Sequence, residues 1–194
     1  MRLVRLTLAA LALPVALGAQ QPAAPGAPPA NPIVAAFKGR ILGSHRLLAQ
    51  AFDSIPESKF GYKPTPAQLT IGYIAQHIAS DSYLFCNTFG AMKSNEDPKD
   101  KTTADSVKAT WPKAELATKL KASFAFCAQA MEQLTDATLP ESATLTFNGN
   151  SRTVTRAAMA LGHALDLADH YSQISNYMRL NGMIPPSALP RPTR

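Results

Sequence analysis

The chain has 194 residues, 46% hydrophobic and 16% charged, enough for one ordinary domain with a core that needs no staples. Its formal charge of +6 falls to +4 once Arg2 and Arg5 of the N-terminal leader are set aside, 17 Lys and Arg against 13 Asp and Glu. Lysines spread from Lys93 to Lys121, with the single aromatic Trp111 among them, describe a solvated face and not a nucleic-acid stripe.

Residues 1–19, MRLVRLTLAALALPVALGA, have the form of a secretory leader: two arginines, an apolar run from Leu6 to Leu17, then Gly18 and Ala19 at a small-residue cut. The run is shorter than the roughly 20 residues a spanning helix needs, so no stable membrane span is expected after cleavage near Gln20. The mature protein is expected to be secreted or periplasmic. Residues 20–30 are rich in Pro and Ala and cannot bury enough apolar surface to order themselves; they read as a tether. The folded domain is expected over residues 31–188, with a tail at 189–194.

Four helices follow from the apolar spacing. Asn31-Pro32 starts the first, with Val34, Phe37, Ile41, Leu48, Phe52 and Ile55 on its core side, and it should end by Pro56. Beyond the Pro-marked loop GYKPTPAQ, Thr70 can cap a second helix carrying Ile71, Ile74, Ile78 and Phe85, with His77 close to that side. GAMKSNEDPKDKTTADS is polar and breaker-rich and reads as a surface loop. Trp111-Pro112 leads into a third helix with Leu116, Leu120, Phe124, Cys127 and Met131 on one face, running to about Leu134. TLTFNGNSRTVT alternates around Asn148-Gly149, the pattern of a short hairpin that must pack on something larger. The fourth helix runs from about Arg156 to Leu180 and stops at Asn181-Gly182. The expected fold is all-α, a four-helix bundle with a short hairpin or irregular insert before the last helix. Cys86 and Cys127 fall on two of its helices and, in an exported chain, either form an interhelix disulfide or stay as two buried thiols.

At 100° per residue, His163, Asp166, Leu167, His170, Ile174 and Tyr177 share one sector of about 100° on the fourth helix. A buried Asp without a partner costs several kcal/mol, so this face needs a cation, a ligand or hydrogen bonds at that point. Asp166 and His170, four apart, can reach one ion, whereas His163 and His170 lie about 10 Å apart along the axis and cannot readily both do so. His77 could add a third ligand from across the bundle, giving two His and one carboxylate with open positions. His45 and His163 read first as hydrogen-bonded core, and Asp81, one turn after His77, either orients it or faces solvent. No nucleophilic triad and no phosphate loop is evident, and no catalytic residue can be assigned.

These residues carry a resemblance. KFGYKPTPAQLTIGYIAQHIA, SFAFC and above all HYSQISNYMRLNGMIPPS resemble motifs of the DinB/YfiT-like superfamily of metalloenzymes, with similarity over most of residues 31 to 188. The resemblance implies a four-helix bundle with a divalent metal, zinc or nickel, held by one His of the second helix and two His four apart on the last. The matching positions are His77 and His170, with Asp166 in place of the middle His and Ser172 where a Gly is usual. His163 is then a compensating ligand or a bystander. The implied functions are a metal-dependent transferase, which can employ a thiol cofactor, or a hydrolase acting on a small molecule. The alternative is a non-catalytic metal-binding or structural module, and a homodimer is compatible with either.

Overall fold

Pro32 has no amide hydrogen to satisfy, so helix α1 (Pro32–Ser54) can start on it at no cost in hydrogen bonding. The cap differs from the expected one. The Asn31 side chain makes no bond to the helix; the Asp136 carboxylate, from far along the chain, accepts from the amides of Ile33 at 3.2 Å and Val34 at 2.8 Å. Asn31 Oδ1 accepts in turn from the Asp136 amide at 2.9 Å. A carboxylate here satisfies two orphan donors and meets the positive end of the helix dipole, while pinning α1 to a distant turn.

The computed structural model describes residues 29–147 and 149–190. The leader expected at residues 1–19 and most of the tether lie outside the described residues. Helix α2 (Ile71–Cys86) is capped as expected, Thr70 Oγ1 accepting from the Tyr73 amide at 3.1 Å. The segment expected to be a plain surface loop instead contains two short helices, α3 (Pro98–Thr102) and α4 (Asp105–Lys108). Tertiary contacts order them: Lys119 pairs with Asp100 at 2.7 Å, and the ammonium groups of Lys99 and Lys119 sit 5.2 and 4.9 Å from the Trp111 ring. Not all the lysines there are solvated, for Lys108 is buried and pairs with Asp105 at 2.8 Å.

Helix α5 (Lys113–Ala130) follows, then the hairpin strands β1 (Ser142–Phe147) and β2 (Asn150–Thr155), then helix α6 (Arg156–Leu180). Among the described residues these two antiparallel strands make the one sheet, paired from Ser142 with Thr155 to Phe147 with Asn150. Thr155 ends the strand and caps the helix at once, its hydroxyl accepting from the Ala158 amide at 3.2 Å. That cap fixes the hairpin's position at the head of α6. The far end of α6 stops because Gly182 takes φ +70°, which lets the Met183 amide turn back to the Met178 carbonyl at 2.9 Å.

The chain is thus mostly helical. α1 packs on α5 and α6, and α2 packs on the same two helices from the other side. Ile41, Leu48 and Phe52 of α1, Ile74 and Ile78 of α2, Leu116 and Leu120 of α5, and Leu167 and Ile174 of α6 are buried between them. Each such side chain contributes about 1.5 to 3 kcal/mol on leaving water. Helix α2 approaches the turn after α4 so closely that a Cβ at Gly72 would collide with the Ala109 carbonyl oxygen. Of the two alternatives for the cysteines the first is present: Cys86 and Cys127 form a disulfide with Cα atoms 5.2 Å apart. Closing a loop of 41 residues contributes about 4 kcal/mol in the chain-entropy account. Among the described residues no helix is long and apolar enough to cross a membrane.

Candidate metal centre

Helix α2 delivers His77, and α6 delivers Asp166 and His170 one turn apart. Their ligand atoms all lie within 4.8 Å of one another, the convergence expected from their spacing. The two imidazole rings stand nearly perpendicular, centroids 4.9 Å apart, so their nitrogens approach a common point from different directions. His170 Nε2 lies 3.3 Å from Asp166 Oδ1.

The protonation pattern around His170 follows from its neighbours. Gln173 Nε2 donates to Asp169 Oδ2 at 2.9 Å, which turns the amide oxygen of Gln173 toward His170 Nδ1 at 3.3 Å. An oxygen there can only accept, so Nδ1 carries the hydrogen and Nε2 is left to face Asp166 and the site. A metal-binding histidine needs this kind of outer support. Burial works against the charged form of His170, but the hydrogen bond and charge of Asp166 outweigh it, with Gln173 and Asp169 adding to the rise in pKa.

On the opposite side, His77 Nε2 lies 3.3 Å from Asp81 Oδ2, so Asp81 orients His77 instead of facing solvent. Its own pKa is pushed up to about 6, chiefly by desolvation, with His77 and His170 opposing the rise and Asp166 and Asp105 adding to it. The most telling atom is Asp166 Oδ2, which is buried and has no hydrogen-bond partner. A carboxylate oxygen left so costs several kcal/mol unless a cation meets it. Two imidazole nitrogens and that carboxylate form a donor set suited to a zinc-like ion, with ligand bonds of about 2.0 to 2.2 Å after small side-chain rotations.

His163 is not part of this centre. Fully buried, it faces the other way along α6, with Nε2 3.4 Å from His45 Nε2 of α1. The axial distance along the helix separates it from His170, as its sequence offset requires.

A cavity of about 480 Å³ opens beside His77 and Asp81. Leu84, Phe85, Leu145 and Met159 make its walls largely apolar, and Arg152 of β2 is among the residues that line it. Sequence reasoning did not single out Arg152 or Gln173. Gln173, three residues after His170, could have been found by asking what holds that imidazole; Arg152 could not, because only the folded hairpin brings it there.

A model of the DinB superfamily matches residues 41–174. Among solved structures, a DinB-like protein from Bacillus cereus superposes with a TM-score of 0.56 at 17% identity, over 74% of this chain and 89% of that one. A DinB-like protein from Bacillus subtilis gives 0.57 at 19% identity, over 80% of this chain and 96% of its own. A variant of the mycothiol-dependent maleylpyruvate isomerase gives 0.58 at 13% identity, over 73% of this chain but 60% of that longer chain. Identities this low establish a shared fold and nothing finer. No curated protein sequence matches this one.

Proposed function

This chain belongs to the DinB superfamily, and from that premise we propose that its four long helices form a DinB-type bundle holding one divalent metal for chemistry on a small anionic substrate. The observation that carries the reading is the convergence of His77, Asp166 and His170 around a buried carboxylate oxygen with no partner, at the edge of an open cavity. His170 binds through Nε2 with Gln173 behind it, His77 is held by Asp81, and Asp166 supplies the charge. When bound, zinc or nickel supplies Lewis acidity that makes a water or a thiol nucleophilic near neutral pH. A transferase using a thiol cofactor, or a hydrolase, fits that site; the mycothiol dependence of the isomerase that shares the fold is compatible with the former.

Arg152 sets the substrate class. It lines a largely apolar cavity, an arrangement suited to a carboxylate head with an apolar body. Arg152→Ala should weaken binding of a probe such as phenylacetate to the zinc-loaded protein by about 10-fold or more, the worth of a hydrogen bond to a charged group. Isothermal titration reads this, and zinc content should not change. Equal affinity in the variant would remove Arg152 from the site.

Export belongs to the same reading, with residues 1–19 as a cleaved leader and the protein secreted or periplasmic. The Cys86–Cys127 disulfide supports it, since such bonds persist in oxidising compartments. N-terminal sequencing of protein recovered from the cell envelope or medium should begin near Gln20; an intact Met1 would refute cleavage.

A further inference from the structure

A second set of metal-ligating side chains meets in the core, away from the centre described above. His45 from α1, Cys127 from α5 and His163 from α6 have ligand atoms within 4.8 Å of one another, and their residues are 5%, 0% and 0% exposed. The two histidines face each other through Nε2 at 3.4 Å. Two nitrogens bound to one ion at about 2.0 Å, with an angle between tetrahedral and trigonal, are separated by about 3.3 to 3.5 Å. Neither Nδ1 has a partner, so the hydrogen bond between the two Nε2 atoms is what holds the pair, and the Nε2 that donates it shifts its hydrogen to Nδ1 when both bind one ion. Burial pushes the His45 pKa down to about 3 and holds His163 well below its ordinary value, so both rings are neutral, the form a metal requires. Phe124 stacks on His45 at 3.9 Å between centroids and Phe85 on His163 at 5.1 Å, which leaves a dry, apolar surround.

In the oxidised protein Cys127 is bonded to Cys86 and offers no thiolate. We propose that His45, His163 and Cys127 form a redox-gated site for copper(I), open in the dithiol protein and closed by the disulfide. Charge selects the ion. One thiolate cancels one positive charge, so a monovalent ion leaves this dry core neutral, whereas a divalent ion leaves a buried net charge that is costly to hold. Softness agrees, because thiolate with imidazole favours copper(I). Opening takes two electrons and two protons: a dithiol reductant leaves as its own disulfide and Cys86 and Cys127 become thiols. Copper(I) then displaces the Cys127 proton to solvent.

Two serine variants separate the ligand from the bond. Cys86→Ser and Cys127→Ser both remove the disulfide and share its stability loss, but only Cys86→Ser keeps the proposed ligand. Each is titrated anaerobically with copper(I), supplied as its acetonitrile complex, against a chromogenic copper(I) chelator, beside oxidised wild type and wild type reduced by a phosphine and desalted. Reduced wild type and Cys86→Ser should each hold one more equivalent than oxidised wild type and Cys127→Ser. Ultraviolet absorption from thiolate-to-copper charge transfer should accompany only that extra equivalent. Both measurements are differences, so they read this site whether or not the His77 centre is occupied. Equal stoichiometry in the two variants, or in the two forms of wild type, overturns the proposal.

Discussion

His170→Ala should abolish the proposed zinc binding by the oxidised protein, with affinity falling by more than about 100-fold, because altering an outer partner of a metal ligand already costs 10- to 100-fold. The variant removes one of three donors and leaves Asp166, already lacking a partner at Oδ2, without its His170 neighbour at 3.3 Å. His45→Ala in the same oxidised protein leaves zinc affinity unchanged, since His45 faces His163 and not the centre. Gln173→Leu falls between the two, because it frees the tautomer without removing a donor. Asp166 is the position that departs from the three-histidine pattern implied by the sequence resemblance. Asp166→His should raise affinity for zinc or nickel by restoring a nitrogen donor. If Asp166→Leu stabilises the fold with no loss of zinc, the carboxylate is not a ligand. Competition against a zinc chelator at one pH reads the whole series.

Acid weakens the metal-free, oxidised protein through the buried histidine pair. Burial lowers the folded-state pKa of His45 to about 3 and that of His163 well below its ordinary value, the latter helped by His45. Between those folded values and an unfolded value near 6.5 the unfolded chain binds more protons, so stability rises with pH and is lost as pH falls through that window. Each histidine adds a slope of about 1.4 kcal/mol per pH unit there. Asp81, raised to about 6, works with the opposite sign: the folded state holds a proton that the unfolded chain has released. His170, raised by Asp166, also opposes, losing its stabilising effect as pH climbs through its folded value. Below about pH 6 the histidine pair makes stability fall with pH, and Asp81 and Glu96, both pushed up chiefly by desolvation, offset part of that slope. His45→Phe, which keeps the stacking on Phe124, should reduce the slope by one proton's worth in urea melts at stepped pH. Parallel curves for variant and wild type would show that His45 is not held neutral.

The long helices could be read from the sequence because burial imposes a period. Asn31-Pro32, Thr70 and Asn181-Gly182 mark ends that the structure reproduces, although Asp136 replaces Asn31 as the cap of α1. Helices α3 and α4 carry no apolar period; Lys119 and Trp111 hold α3 from outside and α4 packs on α2, so both read as loop. The site shows the same division. Asp166 and His170 were visible as a pair on one helical face, and His77 as its counterpart across the core. The angular sector that gathered them also swept in His163, and only the axial offset, realised as a contact with His45, separates the two clusters. Arg152 depends on how hairpin and helices meet, which no local pattern encodes, whereas the contact of Asp81 with His77 is an i,i+4 pair that the spacing already offered as one of two alternatives.

The central claim is that His77, Asp166 and His170 hold one ion. Protein purified without an affinity tag, crystallised with zinc and measured above and below the zinc absorption edge tests it directly. One strong anomalous peak per chain is expected, about 2.0 to 2.2 Å from a nitrogen of His77, Nε2 of His170 and a carboxylate oxygen of Asp166. A fully ordered site with no peak among those three side chains would contradict it.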